Sequence, residues 1–284
     1  MTISAALSRA AEKLKNASSS SWLDSEAILC YLLACKRSWL LAHTETKLSF
    51  WQLWQYRELI KKRNKGIPLA YIVGNKEFYG RIFKVNHHTL IPRPDTELMV
   101  DIAIEIIHTN NSIKTIVDIG TGSGCLAITL ALAEPKIKVI ATDISPAAIK
   151  LAQKNSIQYK LNGHIKFFQG NLLTPIIKKL PSALSNNLVI ANLPYLRKNE
   201  IDDNLLFEPV SALDGGSDGL KYYRELIKQI ADLPSATRPK ILLIELHPPT
   251  HEQVLKLLKT ELINSSIEIK TDLANLPRVA VIQL

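Results

Sequence analysis

The sequence has 284 residues, of which 46% are hydrophobic and 21% are charged, and its mean hydropathy is +0.05. These values are ordinary for globular proteins and exclude a disordered chain, and no run approaches the roughly 18 consecutive apolar residues of a transmembrane helix. Most of the net charge of +9 lies in residues 1–90, where 14 Lys and Arg against 6 Asp and Glu contribute +8.

Residues 1–20 lack the continuous apolar segment of a secretory signal, so we expect a cytoplasmic protein. Ile3, Leu7 and Leu14 recur on one helical face, which favours an amphipathic first helix. The basic and serine residues of this stretch leave a transit peptide as the alternative. The three cysteines show no zinc-ligand spacing, and we predict no metal site.

The first third of the sequence predicts a compact helical unit. Its first glycine is Gly66, and all four tryptophans precede residue 55. A glycine-free stretch that is rich in Leu, Ala and Trp favours helices. We therefore assign residues 1–73 to a helical domain.

Two helix starts can be recognised in this domain. Ser21 with Asp24, and Ser49 with Gln52, have the spacing of a capping box. The first start precedes a predicted apolar stripe, which consists of Leu23, Ala27, Ile28, Tyr31 and Leu32.

The helix that follows Ser49 has a basic face, because Arg57, Lys61 and Lys65 recur every four residues. Such a face is either a solvated surface or a docking surface for an acidic partner.

After Gly66 the composition changes, and short β-rich runs appear at 71–73 and 81–85. Glycines at positions 74 and 80 punctuate these runs, so we predict a β-hairpin linker over residues 74–92.

From residue 93 to residue 284 strands and helices alternate, which predicts an α/β domain with a mainly parallel sheet. The predicted strands are 115–119, 138–142, 165–168, 188–191 and 240–246, with weaker ones near 267–270 and 278–282. The predicted helices are 95–108, 124–133, 146–158, 219–232 and 250–262.

The first strand of this domain ends in Asp118 and continues into a glycine-rich loop, and the second ends at Asp143. The loop residues are Gly120, Thr121, Gly122, Ser123 and Gly124. Glycines let the backbone approach a ligand closely, and an acid at the next strand end can accept the hydroxyls of a ribose. The spacing differs from G-x-G-x-x-G and so disfavours NAD; the pattern predicts a nucleoside-bearing cofactor.

This D-x-G-x-G-x-G loop resembles the first motif of S-adenosylmethionine-dependent methyltransferases. The resemblance implies that Asp118 lies near the methionine moiety and that S-adenosyl-L-homocysteine is the product. The third strand ends in Asn171-Leu172, where such enzymes usually have an acid that accepts from the adenine amine. The oxygen of Asn171 can accept the same hydrogen bond without the charge.

The fourth strand opens into Asn192-Leu193-Pro194-Tyr195, at the strand end where open α/β sheets bind ligands. This sequence resembles the [ND]-P-P-Y motif of methyltransferases that act on planar nitrogens, with Leu193 in place of proline. An amide nitrogen is a poor nucleophile because its lone pair is delocalised. Oxygen acceptors from Asn192 and the carbonyl of Leu193 would favour the electron-rich nitrogen, and Tyr195 would offer an aromatic face. We predict these four residues as catalytic and substrate-binding, and Asn192 also as cofactor-binding.

Further blocks extend the resemblance over nearly the whole chain and make it specific: the sequence resembles the release factor glutamine methyltransferases of the HemK/PrmC type. The blocks are 39–43, 68–74, 77–80, 90–97, 207–213, 214–220, 272–273 and 278–279. The family implies a five-helix N-terminal domain, a β-hairpin linker and a seven-stranded, Rossmann-like class I methyltransferase domain.

The resemblance also implies methylation of the glutamine side chain in the Gly-Gly-Gln motif of class 1 peptide chain release factors, and hence a role in translation termination. The N-terminal domain would help to bind that protein substrate, which fits its charge. We expect a monomer that binds neither membranes nor nucleic acid directly.

Three alternatives remain at this point. A ribosomal-protein glutamine methyltransferase would share the chemistry. A DNA adenine-N6 methyltransferase would need a broad basic surface, whereas residues 91–284 carry a net charge of only +1. A binding module that has lost activity through the departures at Asn171 and Leu193 is the third.

Overall fold

The computed structural model describes residues 1–203 and 205–284, which form two compact units. The smaller unit comprises Met1–Asn75 and Asp203–Phe207, and the larger comprises Lys76–Asp202 and Glu208–Leu284. None of the helices in the described part of the chain has the length and hydrophobicity needed to span a membrane.

The smaller unit is helical, as the sequence predicts. Its helices are α1 (Ile3–Leu14), α2 (Ser21–Leu33), α3 (Arg37–Ala42), α4 (Phe50–Asn64) and α5 (Leu69–Val73). The predicted apolar face of α1 is buried, and it packs with residues of α2 and α4 that include Ile28, Leu29 and Tyr56.

One of the two predicted capping boxes is confirmed. The side-chain Oγ of Ser49 accepts a hydrogen bond from the Gln52 backbone N–H at 3.2 Å, and Gln52 Oε1 accepts one from the Ser49 N–H at 2.9 Å. The box predicted for Ser21 and Asp24 is wrong, because α2 begins at Ser21 itself and its N-cap, Ser20, makes no side-chain capping bond.

The apolar stripe predicted for α2 is partly wrong as well. Leu23 and Tyr31 are about half exposed, whereas Asp24 and Glu26 are buried on the inward face. Asp24 Oδ2 pairs with Arg63 Nε at 2.7 Å, and Glu26 Oε2 pairs with the Nε of an arginine of α3 at 2.7 Å. The carboxylates can be buried because each has a guanidinium partner.

The hairpin is present, but its first strand lies later in the chain than the predicted β-rich run 71–73. It consists of β1 (Asn75–Phe78) and β2 (Arg81–Lys84), whereas the β-rich run 71–73 belongs to helix α5. Gly74, with a φ of 74°, ends that helix in the left-handed conformation that glycine adopts readily. The β-propensity of residues 71–73 is therefore outweighed by the helix that ends at Gly74.

The larger unit contains a seven-stranded sheet, and all seven predicted strands are confirmed. In chain order they are β3 (Thr115–Ile119), β4 (Lys138–Asp143), β5 (Ile165–Gln169), β6 (Asn187–Ala191), β7 (Ile241–Glu245), β8 (Ser266–Thr271) and β9 (Pro277–Gln283). Their order across the sheet is β5-β4-β3-β6-β7-β9-β8. The first five strands are parallel, and β9 lies antiparallel between β7 and β8.

Helices pack against the sheet. They are α6 (Glu97–Thr109), α7 (Cys125–Ala133), α8 (Pro146–Gln158), α9 (Thr174–Lys179), α10 (Lys221–Ala231) and α11 (His251–Glu261). Successive residues of β3 enter different cores: Ile116 packs with α6 and α7, and Val117 packs with α10 and α11. The short helix α9 was not predicted.

The parallel strand order reverses between β3 and β6, so the helices that follow these strands lie on opposite faces. Ligands of open α/β sheets bind at such a switch point, at the carboxyl ends of the strands. The loops after β3, β4, β5 and β6 meet at this edge.

Candidate active site

The loop after β3 turns sharply through glycines that hold backbone conformations rare for other residues. Gly122 has a φ of 55° and Gly124 a φ of 82°. A Cβ on Gly124 would also lie 3.0 Å from the Cβ of Ala152 and from Ile128 Cδ1. The loop can therefore pass close to helix α8 before it enters α7.

Asp143, the last residue of β4, holds this loop in place. Its Oδ2 accepts a hydrogen bond from the Gly122 N–H at 2.9 Å, and its Oδ1 accepts one from the Ser145 N–H at 2.8 Å. Burial raises the pKa of this carboxyl. A carboxylate has about four lone-pair sites, so each oxygen can accept a further hydrogen bond from a ligand.

Asp118 is buried beneath the loop rather than exposed to a ligand. Its Oδ2 accepts a hydrogen bond from Thr121 Oγ1 at 2.6 Å, and its Oδ1 has no partner among the described residues. Burial raises the pKa of Asp118 from 3.8 to about 7. The side chain therefore orients Thr121 and retains one unused acceptor.

Asn171, after β5, is oriented by an acidic residue that sequence reasoning did not identify. Its Nδ2 donates a hydrogen bond to Glu225 Oε1 of helix α10. A carboxylate accepts but does not donate, so the amide group must face Glu225 with its nitrogen. The oxygen of Asn171 is therefore left as an acceptor, which is the property that an adenine amine requires.

Asn192, after β6, makes a hydrogen bond that sequence reasoning also missed. Its Nδ2 donates to Thr96 Oγ1 at 3.1 Å, and Thr96 Oγ1 donates to Glu245 Oε2 at 2.7 Å. Glu245 ends the apolar strand β7, and a lone charged residue after four buried apolar ones was the available signal. Glu245 and Thr96 are 149 residues apart in the sequence, and no sequence signal indicated their contact.

Tyr195, which is predicted to offer an aromatic face to the substrate, lies beside a histidine and a buried carboxylate. Its ring stacks on His247 with 4.9 Å between the ring centroids and 12° between the planes. Its hydroxyl donates to Glu245 Oε1 at 3.3 Å. Burial, with Glu245 beside it, raises the pKa of this phenol.

The loop from Asn192 to Tyr195 is supported by a second, glycine-containing loop. The Leu196 N–H donates to the Leu213 carbonyl at 2.9 Å, and the Gly215 N–H donates to the Leu196 carbonyl at 2.8 Å. A Cβ on Gly215 would lie 2.7 Å from Tyr195 Cα, and one on Gly219 would lie 2.5 Å from the Tyr195 carbonyl oxygen. Only glycine allows these two backbones to approach so closely.

These loops enclose a cavity of about 1000 Å³, including its opening to solvent. Ten of the thirteen predicted site residues line it: Gly120, Thr121, Gly122, Ser123, Asp143, Asn171, Leu172, Asn192, Leu193 and Pro194. Asp118, Gly124 and Tyr195 lie outside the lining.

The remainder of the lining comes from segments that were not predicted as site residues. They are His88, Thr89, Leu90, Pro92, Arg93, Thr96, Cys125, Leu126, Ile144, Ser145, Ala148, Ser211, Ala212 and Tyr222, besides Gly170 next to Asn171. Arg93 pairs with Glu208 at 2.5 Å, and Glu208 also accepts from the Ile91 N–H at 2.9 Å. This buried carboxylate therefore anchors the segment that leads into the cavity.

Comparison with known proteins gives this cavity its context. Residues 5–74 match the family model "PrmC N-terminal domain", and residues 98–213 match "Methyltransferase small domain". A release factor glutamine methyltransferase of Clostridium acetobutylicum is 33% identical over 287 residues, which cover 99% of this chain and 98% of the relative. One from Bacillus subtilis is 35% identical over 226 residues, or 77% and 76% of the two chains.

The chain belongs to the release factor glutamine methyltransferase family. This confirms the resemblance inferred from the sequence blocks.

Solved structures agree on the fold of this family member. The hMettl16 catalytic domain in complex with a MAT2A 3'UTR hairpin has a TM-score of 0.57 at 12% identity and covers 90% of each chain. The N-terminal domain of human METTL16 in complex with SAH has a TM-score of 0.53 at 16% identity, covering 90% of this chain and 93% of that one. At such identities the likeness shows the class I methyltransferase fold alone.

The cavity of this release factor glutamine methyltransferase fits a nucleoside-bearing methyl donor. Asp143 and Asn171 provide oxygen acceptors, and the glycine loop provides close backbone approach. Asn192 and Leu193 line the same cavity, so a methyl donor and a second small group can meet there.

Proposed function

We propose that this chain transfers a methyl group from S-adenosylmethionine to the side-chain amide nitrogen of the glutamine in the Gly-Gly-Gln motif of class 1 peptide chain release factors. The observation that carries the proposal is the common cavity of the glycine loop, Asp143 and Asn192-Leu193-Pro194. The curated relatives named for this activity support the substrate.

Three of the predicted cofactor residues have a specific proposed role. Asp143 would accept the ribose hydroxyls, and the Asn171 oxygen would accept from the adenine amine. Asp118 would act on the methionine moiety by orienting Thr121. S-adenosylmethionine, when bound, supplies a methyl group on a positively charged sulfur and leaves as S-adenosyl-L-homocysteine.

The acceptor amide would be activated by two oxygens of the chain. Asn192 Oδ1 and the Leu193 carbonyl would each accept one N–H of the glutamine amide, which favours a pyramidal nitrogen with an available lone pair. With the methyl donor bound, the nitrogen would take up the methyl carbon as the methyl–sulfur bond breaks with its electron pair on sulfur, and the nitrogen would then lose one proton to solvent. Alignment of the two reactants supplies much of the acceleration.

Leu193 keeps the acceptor carbonyl that this proposal needs. Its side chain is buried, with 3% exposure, in the core that includes Val189 and Tyr223. The apolar anchor replaces the fixed φ angle that proline would supply, and Pro194 still favours an extended residue before it.

Substrate docking is assigned to the helical domain, residues 1–73. Its helix α4 exposes Phe50, Trp51 and Trp54, whose side chains are 51–75% exposed, and the basic residue Arg57 follows them. Aromatic side chains and arginine are enriched at protein interfaces. The release factor is the proposed partner, and the cytoplasm the proposed compartment.

Transfer of labelled methyl groups tests the proposal. The protein is incubated with labelled S-adenosylmethionine and a bacterial class 1 release factor, and the modified residue is mapped by mass spectrometry. We expect label on the Gly-Gly-Gln glutamine, none on a Gly-Gly-Glu variant, and none with Asn192→Ala. Label on a ribosomal protein or on DNA instead would contradict the proposed substrate.

A further inference from the structure

A chain of hydrogen bonds leads from a buried carboxylate to the side chain of Asn192. Glu245 Oε2 accepts from Thr96 Oγ1 at 2.7 Å, and Thr96 Oγ1 accepts from Asn192 Nδ2 at 3.1 Å. Thr96 and Glu245 are buried, with 3% and 4% exposure, and Thr96 lines the cavity beside Asn192. The catalytic role proposed above does not use either residue directly.

The direction of each hydrogen bond follows from the chemistry of the groups. An ionised carboxylate can only accept, so Thr96 must donate its single hydroxyl proton to Glu245. The Thr96 oxygen can then only accept, and the Asn192 group that faces it must be the NH₂ rather than the oxygen. The Asn192 oxygen is consequently the atom left for a ligand.

We propose that Thr96 and Glu245 are positioning residues that turn the amide of Asn192 so that its oxygen, not its NH₂ group, meets the glutamine amide of the substrate. The inference rests on the proposed function, since it concerns the acceptor of that reaction. A reversed Asn192 would present N–H donors to the N–H donors of the substrate. The amide nitrogen would then lose one of the two acceptors that favour its lone pair.

Glu245 is held at its other atoms as well. Tyr195 donates to Oε1 at 3.3 Å, and Tyr223 donates to the Glu245 backbone carbonyl at 2.8 Å. The carboxylate of Asp95 and the guanidinium of Arg278, which pair at 3.0 Å, are the nearby charges. Burial raises the pKa of Glu245 from 4.5 to about 7, and Asp95 raises it further while Thr96, Tyr195 and Arg278 lower it.

Protonation of Glu245 at Oε2, the oxygen that faces Thr96, would remove the orientation. A neutral carboxyl can donate to the Thr96 oxygen, and the Thr96 proton is then free to point at Asn192. The Asn192 oxygen would accept that proton and its NH₂ would face the substrate. Methyl transfer should therefore weaken as the pH falls through the pKa of Glu245.

The first test measures kcat against pH for three variants. Thr96→Val removes the hydroxyl at nearly constant volume and should lower kcat about tenfold, which corresponds to one lost orienting hydrogen bond. Thr96→Ser keeps the hydroxyl and should recover most of the rate. The decrease in kcat below about pH 7 should persist in the wild type and Thr96→Ser, and vanish in Thr96→Val and Glu245→Gln.

A matched control separates orientation from general damage to the core. Thr129 in helix α7 is also fully buried, and its hydroxyl has no partner among the described residues. Thr129→Val should leave kcat and the pH profile unchanged. The dissociation constant for S-adenosylmethionine, measured by calorimetry, should be the same for Thr96→Val and the wild type. A Thr96→Val enzyme with wild-type kcat, or with the same acid limb, overturns the proposal.

A second readout needs no turnover. In protein labelled with ¹⁵N at asparagine side chains, the Asn192 NH₂ signal is assigned by its loss in Asn192→Ala. We expect this signal to titrate together with Glu245 in the wild type and to be independent of pH in Thr96→Val. A wild-type signal that ignores the titration of Glu245 contradicts the orientation. If instead no glutamine is methylated by the wild type, the proposed function fails while this measurement still decides the orientation.

Discussion

Both carboxylate oxygens of Asp143 already accept a backbone N–H, one from Gly122 and one from Ser145. The residue therefore has two duties, because it fixes the glycine loop and offers its remaining lone pairs to the ligand. At the scale of single residues, the cavity repeatedly uses a carboxylate to orient another group in this way. Glu225 orients Asn171, and Glu245 orients Asn192 through Thr96.

Loss of the Asp143 carboxylate should weaken cofactor binding. In Asp143→Ala the ribose acceptors disappear, and the backbone N–H groups of Gly122 and Ser145 each lose an acceptor, so we expect the dissociation constant for S-adenosylmethionine to rise by at least about tenfold. Isothermal titration calorimetry measures this. Asp232→Ala, at a residue that is 64% exposed, is the control and should bind normally. Unchanged affinity in Asp143→Ala would remove the residue from the cofactor site.

The hydrogen bond between Asn171 and Glu225 predicts that the effect of a charge at one of these positions on cofactor binding depends on the charge at the other. Asn171→Asp alone would place two carboxylates in contact, and we expect it to weaken cofactor binding although it introduces the acid that related enzymes have at this position. The double variant Asn171→Asp, Glu225→Gln restores an amide–carboxylate pair and should recover affinity. Calorimetry on both single variants and the double variant gives the coupling energy. Additive effects would show that the two side chains act independently.

Local sequence could predict Asn192, Asp143 and the glycine loop, since each lies at the end of a strand whose apolar run is visible in the sequence. It could not predict that Thr96 accepts a hydrogen bond from Asn192, because this contact depends on how the residues before α6 pack against the ends of β6 and β7. Nor could it predict that Tyr195 stacks on His247, which is 52 positions away. Orientation within the site is a tertiary property, and short motifs do not encode it.

At the scale of elements, the loop that contains Gly215 and Gly219 determines where the loop after β6 can lie. Neither glycine lines the cavity, yet both approach the Tyr195 backbone more closely than a Cβ would allow. The packing of these two loops therefore determines the backbone position of the loop that contains Asn192.

Gly215→Ala should damage methyl transfer without a change of chemistry. Its Cβ would meet backbone atoms of Pro194 and Tyr195 at 2.7–2.8 Å, so the loop must shift. We expect kcat to fall by at least about tenfold, because a displacement of about 1 Å is costly in a reaction that depends on alignment. Gly163→Ala, where the added Cβ meets no atom within 4 Å, should cost stability but not kcat. Equal kcat losses in both variants would contradict a specific effect of the loop.

Helices and strands were predicted well where the hydrophobic pattern was strong, and poorly where the secondary structure depended on where a helix begins or ends. The buried strands β6 and β7 each contain four consecutive apolar residues, 188–191 and 241–244, which is typical of a parallel sheet. Residues 71–73 are β-branched or aromatic but precede a glycine that ends a helix. The first turn of α2 also departs from its pattern, since the Asp24 carboxylate accepts from Arg63 of α4 and from the hydroxyls of Ser18 and Ser20 rather than from the backbone N–H of Ser21.

At the scale of the whole molecule, two buried carboxyls make stability depend on pH. Burial raises the pKa of Asp118 from 3.8 to about 7 and that of Glu245 from 4.5 to about 7. Each group binds its proton more tightly in the folded chain than in the unfolded one. The stability that this supplies is fully present below about pH 4 and is lost as the pH rises through about 7.

We therefore expect Glu245→Gln to remove part of this dependence. Its Tm, measured by calorimetry, should equal that of the wild type near pH 5 and exceed it by at least about 2 °C at pH 8, where the wild type must bury a charge. Glu252→Gln, at a side chain that is 82% exposed, should show no such difference. A Glu245→Gln variant that is less stable at pH 8 would mean that the ionised carboxylate stabilises the fold.

The position of β9 also has a consequence for synthesis on the ribosome. The parallel strands β3 to β7 can pair as they emerge, but β8 gains its neighbour only when residues 277–283 have been made, because β9 inserts between β8 and β7. Arg278, which faces the carboxylates of Asp95 and Asp272, arrives with that last strand. A nascent chain stalled before residue 277 would thus already contain Asn192 and the glycine loop, yet it would leave one side of β7 open to solvent or to chaperones.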